Sequence, residues 1–400
     1  MRIVLTTESY LPYLSGVTVS VDALARGLGA MGHDVLVVAP RPADGSRVEP
    51  VGSPGPPPRH AWLSSYQPTA IAPPSYRMPW PNPWAAAARE ARAFGPDLVH
   101  AHSPFVTGLL ARRLARSLGA PLVFTHHTRF VDYAHYAGPL AAFAGRLTDA
   151  YLRGFWRACA AIVAPSDDLA EAIRAGMGGD RPGRVHVIAT GVDVAAIRAL
   201  TAIDPRRAAG WPSDAVIVAS LGRLAPEKSP EILFDALALA AAREPRLRLL
   251  VVGGGPSEAG LRARAMSSAM AGRVLFTGSL SRPAALAWVA GADILLFTSR
   301  TETQGLVLAE ALSAGLPAVA VDGPGVRDSI RDGVDGIVVP FLPSGSLVER
   351  LSLTVAGLAD DDEGRSAMAQ RARADAVRFA VERRVGQVEA LYRTLAVARR

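Results

Sequence analysis

The sequence predicts an α/β protein made of two doubly wound, parallel-sheet domains. Three observations carry that expectation. The chain has 400 residues, enough material for two domains with a core each. Near the N-terminus the apolar strand Arg2–Thr7, the helix Thr18–Met31 and the strand His33–Pro40 follow one another at strand–helix–strand spacing. After a looser stretch, Gly191–Asp214, the same rhythm restarts with the strand Val216–Ser220.

The elements follow in order. A long loop, Glu8–Val17, leaves the first strand, and Gly16 stands where it meets its helix, a place where a missing side chain lets backbone approach a phosphate. Residues 41–60 are too rich in proline and glycine to pack and read as a loop or flap. Asp97–His102 and Leu122–His126 are strands, the second ending in a polar cluster of Thr125, His126, His127, Thr128, Asp132, Tyr133, His135 and Tyr136. Polar groups at such strand ends line the ligand crevice of parallel sheets. Ala161–Pro165 and Val185–Ala189 complete the first sheet. In the second domain, Arg248–Gly255 is a strand with a glycine turn, followed by the strands Val274–Gly278, Ala292–Phe297, Ala318–Asp322 and Gly336–Pro340. The Asp360–Glu363 run reads as a solvated acidic turn, and because it does not follow a strand it is not read as a metal-binding acidic motif.

Composition narrows the function. Half the residues are hydrophobic, yet no uninterrupted apolar run approaches the ~20 residues of a membrane span. The N-terminus reads directly as a strand with no signal peptide, and the single cysteine, Cys159, fits a reducing compartment, so a cytoplasmic location is expected. The formal net charge is +7, which permits an anionic membrane surface. No zinc-ligand spacing, aromatic–glycine RNA-binding pattern or repeat is present, and no nucleic-acid partner is expected. The absence of GxGxxG and Walker patterns argues against a dinucleotide oxidoreductase and a P-loop enzyme.

Thr298–Pro317 carries the chemistry. Glu302 precedes a helix that opens near Gly305, and Glu310 lies inside it. Eight residues at ~1.5 Å rise place the two roughly 10–12 Å apart, too far to flank one glycosidic bond, where carboxylates stand about 5–9.5 Å apart. The spacing suits the two ends of one elongated ligand. Between them, the N–H groups of Gly305, Leu306 and Val307 form a positive helix end able to hold a phosphate. A sugar on Glu302, a diphosphate at the helix end and a ribose on Glu310 describe a nucleotide sugar.

These residues also carry a family resemblance. Glu-x7-Glu after a strand resembles the donor-site motif of retaining, family 4 type GT-B glycosyltransferases, and Thr301–Gly305 (TETQG) is similar to the form in bacterial diacylglycerol glucosyltransferases. Leu221–Lys228 (LGRLAPEK), which holds the chain's single lysine, resembles the family's Gly-Arg-…-Glu-Lys loop. Thr125–Thr128, followed by Asp132–Tyr133 and His135–Tyr136, resembles the acceptor-side motif of the lipid glucosyltransferases.

The resemblance implies a GT-B fold, two Rossmann-like domains facing across a cleft. Residues 1–192 would bind the acceptor and 193–372 the nucleotide sugar, with a last helix, from about Arg373 to Arg400, crossing back. It implies a hexosyltransferase (glucosyl or mannosyl) acting with retention by a front-face mechanism. Arg223 and Lys228 would neutralise the donor diphosphate, and His127 and Glu302 would stand at the transferred sugar. Gly16, Ser281, Gly305, Leu306, Val307 and Glu310 would complete the donor site, with Ser281 and Leu280 at the base; the role of Asp328 stays open. No cofactor or metal is expected; zinc on the histidine cluster is the competing reading. A lipid such as diacylglycerol is the expected acceptor. Leu109–Leu118 and Leu140–Arg157 mix arginines with leucine, phenylalanine and tryptophan, as a helix lying on the inner membrane face does. A soluble-acceptor transferase and a GT-B sugar-nucleotide epimerase remain as alternatives.

Overall fold

The computed structural model describes residues 1–43, 55–68, 76–80, 85–128, 141–178, 182–267 and 269–397. The chain divides into two compact units, Met1–Gly191 with Val381–Arg400, and Val192–Ala380.

The first unit holds a seven-stranded sheet of order β3-β2-β1-β6-β7-β8-β9, parallel throughout. Its strands are β1 (Arg2–Thr6), β2 (Asp34–Pro40), β3 (Arg59–Leu63), β6 (Leu98–Ala101), β7 (Leu122–Thr125), β8 (Ala161–Ala164) and β9 (Val185–Val187), while β4 (Ser65–Tyr66) and β5 (Met78–Pro79) pair as a small separate hairpin. The helices are α1 (Gly16–Ala30), α2 (Ala85–Phe94), α3 (Val106–Leu118), α4 (Ala141–Ala158) and α5 (Asp167–Gly176). Alternation sorts the strand residues between two cores. Val4, Leu36, Val99 and Phe124 face Leu110, Leu114 and Phe155 of α3 and α4. Ile3, Leu5, Val37 and Val123 face α1 and the C-terminal helix.

The second unit repeats the plan with six parallel strands of order β12-β11-β10-β13-β14-β15. After α6 (Val194–Ala199) and α7 (Pro205–Ala209) come β10 (Val216–Leu221), α8 (Pro230–Arg243), β11 (Leu247–Val252), α9 (Glu258–Met266), β12 (Val274–Gly278), α10 (Arg282–Val289) and β13 (Ile294–Phe297). They are followed by α11 (Leu306–Ala314), β14 (Ala318–Val321), α12 (Val326–Ser329), β15 (Gly336–Val339), α13 (Ser344–Asp360) and α14 (Asp362–Asp375). The last helix, α15 (Val381–Val397), returns to the first unit and packs Val385, Val388 and Tyr392 against Leu24 and Leu28 of α1.

Three expectations need correction. The crossing helix begins at Val381 rather than near Arg373: α14 and a 3-10 turn, Ala376–Phe379, bury Ala372, Ala376 and Phe379 in the core of the second unit. The helical periodicity runs through that turn, so the sequence shows no break. The proline-rich stretch ends in an edge strand, β3, which an Arg-His-Ala-Trp-Leu segment forms with alternate residues buried. The strand at 185 stops at Val187, two residues early.

Candidate functional site

In the second unit β10 pairs with both β11 and β13, so the strand order reverses there and the loops after β10 and β13 emerge side by side. That is where a doubly wound sheet binds ligands. The loop after β10 is seated on a glycine run. Gly222 and Leu224 donate their N–H groups to the carbonyls of Val252 and Gly254, each at 3.0 Å, and Ser257 N–H donates to Leu224 O at 3.0 Å. A Cβ on Gly253 would lie 2.0 Å from Gly222 O, and one on Gly255 2.3 Å from Leu224 O. These glycines are there for backbone approach, which makes Gly253–Gly255 a structural turn.

The same loop continues through a single 3-10 turn, Pro226–Lys228, into Ser229, whose φ of 50° is left-handed. Among the described residues it is the one non-glycine with positive φ, a conformation that costs free energy and persists where surrounding contacts enforce it. The contacts are present. Thr298 Oγ1 lies 3.2 Å from the carbonyls of both Lys228 and Ser229, and Thr301 Oγ1 donates to Glu227 O at 3.3 Å. Lys228 Nζ is thereby brought onto Glu302 Oε1 in a half-buried ion pair, and Ser299 Oγ donates to the same carboxylate oxygen at 3.2 Å. Arg223, in the same loop, is largely exposed, and its nearest carboxylate is Glu227 at 3.9 Å.

Gly305 follows with φ of 70°, a left-handed value glycine adopts without cost, and starts α11 with no side-chain cap. The first N–H groups of α11, at Leu306 and Val307, therefore present the positive end of the helix beside the Lys228–Glu302 pair's own loop. Glu310 lies on the buried side of α11 and is ion-paired with Arg282, the first residue of α10. Burial raises its pKa, and Arg282 works against that. Ser281, the exposed N-cap of α10, accepts from Ala285 N–H at 2.9 Å through its carbonyl. Cation, helix end and hydroxyl-accepting carboxylates together can hold an anionic, hydroxylated ligand.

The first unit has its own reversal point, since β1 pairs with β2 and β6. Glu8, in the loop after β1, accepts from Thr107 N–H at 3.1 Å and so caps α3; burial raises its pKa against that bond. Gly16 opens α1, where Ser15 Oγ accepts from Thr18 N–H at 3.2 Å. His100 and His102 share one face of the β6 segment. His100 bonds Tyr392 of α15 through Nδ1 and Thr125 Oγ1 at 2.7 Å through Nε2. His102 Nδ1 meets His127 Nε2 at 2.9 Å. His102 Nε2 has no partner among the described residues and lines a pocket with Ser20, Thr125, Thr190 and Arg384. Burial holds all three imidazoles neutral, pushing His100 and His127 down to about 3 and His102 well below its usual value. Among the described residues no group of three or more His, Cys, Asp or Glu side chains is placed to hold a metal ion.

The chain matches the description "Glycosyltransferase Family 4" over residues 14–196 and "Glycosyl transferases group 1" over residues 203–394. It is 32% identical to a GDP-mannose-dependent alpha-mannosyltransferase of Mycobacterium tuberculosis, covering 93% of this chain and 91% of that one. It belongs to the group 1 glycosyltransferases. An alpha-monoglucosyldiacylglycerol synthase of Streptococcus pneumoniae is 27% identical, over 84% of this chain and 74% of the relative. Among solved structures, Anabaena HepE in complex with UDP-glucose shares the GT-B fold, with a TM-score of 0.70 at 18% identity over 98% of this chain and 100% of that one.

Within this glycosyltransferase, the expected donor residues Lys228, Glu302, Gly305, Leu306 and Val307 fall on two adjoining loops and one helix end, and Lys228 touches Glu302 directly. Arg223 shares the loop without touching that pair. Glu310 is neither exposed nor free-standing, because Arg282 occupies it. Arg282, His100, His102 and Tyr392 were not singled out from sequence. The signals available were the HAH repeat at 100–102 and a cation opening a helix at 282. Asp328 is exposed on α12. Asp132, Tyr133, His135 and Tyr136 lie outside the described residues. Phe155 and Trp156, expected at a membrane, are buried in the core instead, 1% and 7% exposed. No described helix is long and apolar enough to cross a membrane.

The histidine cluster yields a pH prediction. Each of the three has a folded-state pKa below its unfolded value near 6.5, so the stability it contributes is full above that value and declines as pH falls below it, for His100 and His127 down to about 3. Each imidazole kept neutral costs about 1.4 kcal/mol per pH unit in that window. Denaturant midpoints measured from about pH 8 down to about pH 5 should fall, and His100→Gln should flatten the slope. An unchanged slope in the variant would contradict the assignment.

Proposed function

We propose that this glycosyltransferase moves a glucosyl or mannosyl group from a nucleotide diphosphate sugar held by the second unit, with retention and without a metal. The Lys228–Glu302 pair is the observation that carries the reading. Its two charges are held by loop contacts that do not need a ligand; a nucleotide sugar offers the ammonium a more highly charged partner and the carboxylate a set of hydroxyl donors. The diphosphate draws the ammonium of Lys228 and the helix end at Gly305, and Glu302 accepts from the sugar hydroxyls. Glu310 accepts from the ribose. Arg223, exposed at the loop rim, closes on the diphosphate as a two-pronged donor.

Charge develops on the departing diphosphate, so fixed positive groups there lower the barrier. In a front-face transfer the acceptor oxygen bonds to the anomeric carbon as the bond to the diphosphate oxygen breaks, and the acceptor proton passes to that oxygen. Ser299 Oγ holds Glu302 in its loop, and the role assigned to the carboxylate is hydroxyl binding, not attack on carbon.

The acceptor is proposed to be a membrane lipid, diacylglycerol or a lipid of similar kind, met by the first unit at the inner membrane face. The diacylglycerol-modifying relative supports this. So does the surface of α3 and α4, which pack closely where Gly108 lies against Phe155 and where Phe105 stacks on Tyr151 with centroids 5.8 Å apart. Their outer faces expose Phe105, Leu109 and Leu147 among Arg113, Arg116, Arg146, Arg153 and Arg157. Each arginine near an anionic surface contributes about 1 kcal/mol. A soluble sugar-phosphate or antibiotic acceptor is the alternative.

Lys228→Ala should lower turnover by about 10²–10³-fold, as loss of an oriented electrostatic group does, and a chelator should leave the parent enzyme active. Glu302→Gln should spare nucleoside diphosphate binding while lowering transfer, whereas Glu310→Gln should weaken that binding in calorimetry. Full activity in Lys228→Ala, or metal-restored activity after chelation, would contradict the donor mechanism.

Sedimentation with vesicles tests the acceptor side. The protein should pellet with anionic vesicles at low salt, release at high salt, and ignore neutral ones. Indifference to anionic vesicles, with glycosylation of water-soluble acceptors only, would replace the lipid reading and leave the transferase reading intact.

A further inference from the structure

We propose that Arg282 is a donor-positioning residue, which through its ion pair holds and orients the Glu310 carboxylate for the ribose hydroxyls of the nucleotide. The inference rests on the reading of Glu310 as the ribose contact.

Three observations lead to it. Arg282 is the first residue of α10, where the helix dipole disfavours a cation, so helix formation does not explain it. Glu310 is surrounded on α11 by buried Leu308, Ala309, Ala311 and Leu312, and an ionised carboxylate there is costly without a partner. The pair is itself a weak source of stability, since well-packed apolar residues in place of a buried ion pair are often neutral or stabilising. A site needed only for packing would not require it.

The geometry shows what the pair supplies. The Arg282 guanidinium meets Glu310 at Oε1. A carboxylate has two oxygens with about four acceptor positions, so one arginine contact leaves capacity for two vicinal hydroxyls. The guanidinium opposes the rise that burial imposes on the Glu310 pKa, and hydrogen bonds to an ionised carboxylate are stronger than bonds to a neutral acid. Arg282 also directly follows the exposed Leu280–Ser281 segment, the expected base contact, and its own side chain keeps 19% exposure against 7% for Glu310.

Calorimetry with UDP, GDP and their 2′,3′-dideoxy counterparts tests this on the full chain. Arg282→Met should bind whichever ribonucleotide the parent prefers about tenfold more weakly, while Arg282→Lys keeps most of the affinity. The dideoxy nucleotide, which has no hydroxyls for Glu310 to accept from, should bind parent and Arg282→Met alike. Melting curves check that the variants fold, and Arg282→Gln, which also loses the charge, serves if the methionine variant does not. Ribonucleotide binding unchanged in Arg282→Met but reduced in Glu310→Gln would overturn the positioning role and leave the ribose reading standing. Equal loss for the dideoxy nucleotide would overturn it too, as a structural effect. Unchanged binding in Glu310→Gln would overturn both.

Discussion

Two threonine hydroxyls tie together the loops on which the proposed donor site of this glycosyltransferase depends. Thr298 and Thr301, in the loop after β13, reach the carbonyls of Glu227, Lys228 and Ser229 in the loop after β10. Each such bond contributes only about 1 kcal/mol, but together they enforce a left-handed serine and carry Lys228 to Glu302. The glycine run after β11 supports the same loop from its other side. The strand-order reversal between β10 and β13 puts the two loops within reach of one another, so fold, loop contacts and charge pair form one chain of causes.

The first unit uses a different device. Its strand ends are joined to α15 by neutral imidazoles and a buried tyrosine, and neutral donors and acceptors tolerate burial where charged ones would not. The C-terminal helix thus does more than close a core: Tyr392 fixes His100, and His102 fixes the ring of His127. The arrangement links a distant helix to the residue expected at the transferred sugar.

The loops that bring Lys228 and Glu302 together were legible in the sequence because their motifs are local. Glu302, Gly305 and Glu310 follow one apolar strand, and a single lysine survives in an arginine-rich chain at position 228. What was not legible depends on contacts between elements. Arg282 acquires its meaning only when α10 packs on α11, and His100 only when β6 lies beside β7 and α15 covers them. Phe155 and Trp156 read as membrane-facing aromatics, yet the close packing of α3 at Gly108 draws Phe155 into the core. The start of α15 was displaced because helical periodicity continues through the 3-10 turn at Ala376–Phe379.

The central claim is that Lys228 exchanges Glu302 for the donor diphosphate. Since Lys228 is the chain's single lysine, labelling with ¹⁵N-lysine makes its ammonium the one lysine side-chain signal in the protein. Titration with the nucleoside diphosphate that binds should shift that signal saturably, and Glu302→Gln should shift it before any ligand is added while leaving the ligand-bound position unchanged. A signal that ignores the nucleotide at saturating concentration would contradict the account.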